Sequence, residues 1–209
     1  MIKAFFSFLL RWSGLLCVPG GVLWALSPLG VYLSELRFNT PNVFWKLFPS
    51  APLLVLVGLI GLHLLISGRS GWVERVGFYT ALIGLVLVLA GDVGEFWLRT
   101  DDIYLMTAPS YRAFRLGLIL FAAGSILFGV GTGRDRSLPV WGALPFAIGA
   151  LCGLISVVKT FGYFGAVLWI LFGVGWVWLG LALLAEGLWR FWRERRAAAQ
   201  GAPQEPKPL

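Results

Sequence analysis

The sequence predicts an all-α, polytopic transmembrane bundle: six spans joined by short loops. Three observations carry that prediction. The chain of 209 residues is 58% hydrophobic and only 13% charged, about half the charged fraction of a soluble domain, and its mean hydropathy is +0.83. The charges are clustered, which leaves six apolar runs, each near the ~20 residues that cross a hydrocarbon core at ~1.5 Å per residue. A soluble core of this length could not enclose so many apolar side chains. Lipid must then be their solvent, and in lipid the backbone satisfies its polar groups as helix.

The first run, 12–34, holds Pro19, Gly20, Gly21, Pro28 and Gly30, which predict a kink or a locally unwound turn. Before it, the first ten residues suit an amphipathic helix lying on the inner surface. Arg11 interrupts that opening stretch and no small-residue cleavage site follows, which argues against a cleaved signal. The second run, 51–67, and the fourth, 116–132, are the shortest. The third covers 76–98, the fifth 138–158 and the sixth 165–188. Domain organisation follows: a six-helix transmembrane domain over 1–189, then a tail over 190–209. The tail is basic at first, RFWRERR from Arg190 to Arg196, then rich in Ala, Pro and Gln. Such a composition predicts a disordered cytoplasmic end, and the basic cluster suits anionic lipid headgroups.

The loops are compact. GRSGWVER and GRDRS read as tight inner turns. An apolar run followed by Gly-Arg occurs at Gly68 and again at Gly133. That is either an internal repeat of spans two and three in spans four and five, or the ordinary spelling of a short turn. The outer loops are longer, yet neither is long enough for a domain. Neither holds a glycosylation site, because Asn39 is followed by Thr-Pro.

Orientation follows from Lys and Arg. With the N-terminus inside, eleven fall on the inner side and six (Arg37, Lys46, Arg99, Arg112, Arg115, Lys159) on the outer side. Both termini are therefore expected in the cytoplasm, and compact loops without sequons point to a bacterial plasma membrane. Trp12, Trp45, Trp72, Trp97, Trp141, Trp169, Trp189 and Trp192 fall near span ends, where an amphipathic ring prefers the headgroups. Trp24, Trp176 and Trp178 are deep, either packed between helices or facing lipid.

The net charge of +7 sits at the ends of apolar runs, a juxtamembrane pattern that speaks for a lipid bilayer as partner and against nucleic acid. Cys17 and Cys152 lie in separate runs and read as small packing residues, not as a disulfide framework. One histidine excludes a haem held by two. HExxH, CxxC, GxSxG and Walker sequences are all absent, so no metal, cofactor or catalytic group is predicted, and the balance is against an enzyme. GVGTGRDRS resembles a phosphate loop only superficially, since it lacks the lysine and the preceding strand. Gly149 and Gly153 give a GxxxG spacing, and FAAGS (121–125) a second small face. These support a compact bundle or a homodimer.

The residues left for function are few. Asp92 and Glu95 lie three apart on one predicted helix face, ~7–8 Å and ~3 Å below Trp97. Two readings stand. The acids are neutralised by nearby guanidinium groups, above all by Arg99, four residues after Glu95. Alternatively they form a proton or cation site opening outward. His63 and Glu186 lie at similar inner depths on spans two and six and form a second candidate pair, with a local Glu186–Arg190 pair as the simpler outcome. The expectation is a small integral membrane protein with a structural, sensory or partner-binding role. The alternative is a transporter or channel for protons, cations or a small solute using Asp92 and Glu95.

Overall fold

The computed structural model describes residues 2–37, 46–66, 71–94, 98, 108–134, 140–158 and 163–201; within these it leaves aside the side chains at 2–11, 28, 31–37, 65, 140, 158, 163–164, 186–191 and 193–201. Among the described residues there are six helices and no strand: α1 (Ile2–Arg37), α2 (Ser50–Ile66), α3 (Trp72–Asp92), α4 (Pro109–Arg134), α5 (Val140–Val158) and α6 (Tyr163–Gly201). Each contains most or all of one apolar run. Three stretches, Trp72–Asp92, Pro109–Arg134 and Gly165–Ala185, are long and apolar enough to cross a membrane. The apolar parts of the other three helices, Trp12–Ser27, Ser50–Leu64 and Trp141–Val157, are shorter. The helix starts use familiar chemistry. The Ser50 hydroxyl donates to the Leu47 carbonyl at 2.6 Å. Pro52 and Pro109 stand in first turns, where a missing N–H breaks no intrahelical bond.

Three expectations change. Helix α1 runs unbroken through Pro19, Gly20, Gly21 and Pro28, so no turn is unwound. The glycines serve close packing instead: a Cβ on Gly20 would meet Leu54 and Val55 of α2, and one on Gly21 the backbone of Gly173 and Val177 in α6. Residues 2–10 belong to the same helix rather than to a separate surface helix. Helix α6 continues through Arg190–Arg196 to Gly201, where the alanines at 197–199 favour helix over disorder. Helix α3 is α-helical to Asp92 and continues as a π turn through Val93 and Gly94, and residues 95–97 of the predicted run lie outside the described residues.

The helices form a closed ring in chain order, each antiparallel to its neighbours, with α6 returning to α1. Two seams are locked by glycine. In α3, Gly77, Gly84 and Gly91 face the backbone of Phe128, Phe121 and Phe114 in α4; reciprocally, Gly131, Gly124 and Gly117 face Glu74, Ala81 and Val88. All six lie seven residues apart within their helix, the spacing that keeps one face turned to an antiparallel partner. The same device joins α1 to α6, where Gly14 and Gly21 meet Gly180 and Gly173. A Cβ at most of these positions would stand under 3 Å from a backbone atom of the neighbour, so the helices approach as only glycine permits. The α2–α3 seam is the least packed of the six.

Aromatic rings occupy the centre. Phe114 contacts Phe48 (6.0 Å between centroids), Phe48 contacts Trp24 (5.1 Å) and Trp24 contacts Phe121 (5.1 Å). Phe121 stacks on Trp176 (5.4 Å), Trp176 meets Phe146 (4.8 Å) and Phe146 meets Phe128 (6.4 Å). Trp24 and Trp176 are fully buried. The outward faces carry Leu15, Leu26, Leu53, Val57, Ile83, Val86, Leu144 and Ile148, all exposed. Apolar side chains thus face outward as well as inward, the pattern of a helix bundle in lipid.

Candidate polar sites at the two ends of α3

The first site joins α2 to α3. His63 Nδ1 lies 3.0 Å from Glu74 Oε1. The short connection from Ile66 to Trp72 places the end of α2 beside the start of α3, which brings the two side chains together. Glu74 occupies a heptad position shared with Ala81 and Val88 and packs against Gly131 of α4; it is 0% exposed. As a first-turn residue it lies where the helix macrodipole and free N–H groups favour an anion. Its other oxygen, Oε2, has no hydrogen-bond partner among the described residues. The His63 ring stacks on Phe78 at 3.7 Å and 9°, with Tyr79 edge-on at 6.0 Å. Stacking fixes the ring plane and aims Nδ1 at the carboxylate.

The second site, at the other end of α3, is Asp92, 0% exposed. Neither carboxylate oxygen has a hydrogen-bond partner among the described residues. Arg112 and Arg115, the described arginines of α4 at this end, are exposed. Neutralisation by guanidinium therefore does not extend to Asp92 among the described residues. Glu95 and Arg99 lie outside them, so the helical face expected to carry Asp92 and Glu95 together falls beyond the described residues. The turn that follows is wide: the Leu98 N–H donates to the Val93 carbonyl, five residues back, at 3.1 Å.

The His63–Glu186 pair stands differently. The structure sets His63 against Glu74, and the side chains of Glu186 and Arg190 lie outside the described residues. Sequence reasoning missed Glu74 because it assigned WVER to a loop. The signal was present: an acid seven residues before Ala81 and three before Gly77, on the stripe that repeats along α3. Both cysteines are free thiols, and no group of three or more His, Cys, Asp or Glu gathers as a metal cluster among the described residues. Gly149 and Gly153 pack on Gly175 and Phe172 of α6, so the GxxxG face of α5 is used within the chain.

The three deep tryptophans also divide. Trp24 and Trp176 fill the core, whereas Trp178 is exposed on α6 and its indole N–H donates to the Trp141 carbonyl of α5 at 2.7 Å. That carbonyl is the one Pro145, lacking an N–H, cannot bond four residues on. Comparison with protein families, with curated proteins and with solved structures found no match.

Proposed function

We propose that the chain is an integral membrane protein of six spans, both termini cytoplasmic, with a sensory role: a proton-responsive bundle without catalytic chemistry. The six-span reading is supported by the ring itself. The three shorter apolar helices alternate with or adjoin the three longer ones in a single layer, and all carry exposed apolar faces.

The observation that carries the sensory reading is the His63–Glu74 contact across the least packed seam. With one shared proton the pair is neutral, as imidazolium–carboxylate or as imidazole–carboxylic acid. Withdrawing that proton leaves a fully buried carboxylate facing a neutral ring, and an uncompensated buried charge costs several kcal/mol. Loss of the shared proton therefore favours an opened, hydrated seam over the closed one. Of the other charged groups at this end, Arg75 and Arg134 are exposed, and the side chains of Arg11, Arg69 and Glu186 lie outside the described residues.

Hydrogen exchange in lipid nanodiscs tests this. After correction for intrinsic rates, amides of residues 59–66 in the wild type should lose protection by about tenfold between pH 6 and 8.5, the effect of ~1.4 kcal/mol. In His63→Gln and Glu74→Gln the dependence should vanish. A flat wild-type profile, or an unchanged slope in both variants, removes the sensory reading. Transport keeps one specific support, the unpartnered Asp92 carboxylate; against it stands the ring-filled centre.

A further inference from the structure

The other end of α3 raises a separate question: what satisfies Asp92? A carboxylate only accepts hydrogen bonds, so its missing partner is a donor or a positive charge. No described side chain supplies one, although the residue is fully buried. The location favours a cation: Asp92 lies in the last described turn of α3, toward the negative end of the helix macrodipole. The backbone beside it is closely packed: a Cβ on neighbouring Gly91 would lie 2.4 Å from the Phe114 backbone nitrogen, and one on Gly94 3.2 Å from the Ser110 Cβ. Charge limits the guest. With no gathering of three or more His, Cys, Asp or Glu among the described residues, a single carboxylate balances a single positive charge.

We infer that Asp92 is a binding site for a small monovalent cation, a proton or an alkali-metal ion, held by the buried carboxylate. The site is independent of the His63–Glu74 pair and stands whether or not the ion crosses the membrane.

Tryptophan-fluorescence melting of the nanodisc-embedded protein tests it, at fixed ionic strength with N-methylglucamine replaced stepwise by Li⁺, Na⁺ or K⁺ at pH 8. An acid series in N-methylglucamine alone is run in the His63→Gln background, which removes the His63–Glu74 pair's own response. A saturable rise in melting temperature with one alkali cation, abolished in Asp92→Asn, identifies a metal ion. A rise with acid alone, abolished in Asp92→Asn/His63→Gln, identifies the proton. A hydrophobic carbodiimide, which adds to protonated buried carboxyls, supplies a check needing no variant: the wild type should be labelled at Asp92, and the bound cation or alkaline pH should suppress it. Melting that responds to neither series, or responds equally with and without the Asp92 carboxylate, overturns the inference. So does an Asp92 that stays unlabelled at every pH without alkali cation.

Discussion

At the scale of single residues, the structure turns on replacements for lost hydrogen bonds. Pro145 removes one donor from α5, and Trp178 of α6 restores it at the Trp141 carbonyl. Trp178→Phe should therefore cost ~0.5–1.5 kcal/mol, the net worth of one such hydrogen bond. In a Pro145→Ala background the helix supplies its own N–H, and the same change should cost little. Unfolding in a denaturing detergent, measured as a double-mutant cycle, checks the coupling. The sequence showed Pro145 and Trp178 but not that they answer each other, because thirty-three positions separate them and only the α5–α6 register brings them together. His63 shows the same limit. Its depth was legible, yet depth alone could not choose between acids on two helices. The short connection after α2 favoured Glu74, and that choice depended on starting the third helix at Trp72 rather than at 76.

At the scale of helices, the glycine heptads explain the two tightest seams. Gly84→Ala would place a Cβ 2.3 Å from the Phe121 backbone nitrogen. Overpacking of that kind costs ~1–3 kcal/mol, more than the ~0.5–1 kcal/mol an alanine gains in helix propensity. Gly133→Ala, whose Cβ would meet only the Ala143 Cβ at 3.5 Å, should be neutral or stabilise by up to ~1 kcal/mol. Opposite signs for one glycine in α3 and one in α4, read from melting temperatures in nanodiscs, are the expected result. Most of this level was written in the chain: Phe-x-x-Gly occurs at 114, 121 and 128, each time with the glycine three later. Reading α1 as locally unwound erred because glycine and proline were weighed by what they permit to a lone helix. Beside α2 and α6, the absence of a side chain lets neighbours approach while the helix stays continuous.

At the scale of the molecule, the number and order of the helices were legible from hydropathy, whereas ring closure and the aromatic column were not. Hydropathy treats a ring facing lipid and a ring facing inward alike, so the deep positions of Trp24 and Trp176 left both outcomes open. The filled centre has a testable consequence. Liposomes carrying the wild type and an internal pH dye should leak protons no faster than empty ones under an imposed gradient. Trp176→Ala, which removes the ring stacked on Phe121 and edge-on to Phe146, should cost ~3–5 kcal/mol and is the variant in which a leak should first appear.

The unequal seams give the bundle two leaves. Helices α1, α2 and α6 hold together through Gly14, Gly20, Gly21 and Gly58, and α3 with α4 through its own glycines. Helix α5 serves as the spine, and His63 against Glu74 as the clasp. Releasing a clasp on the rim of such a book would part its pages sideways, toward the acyl chains, so whatever the opened form meets first would arrive from within the bilayer rather than from either aqueous side.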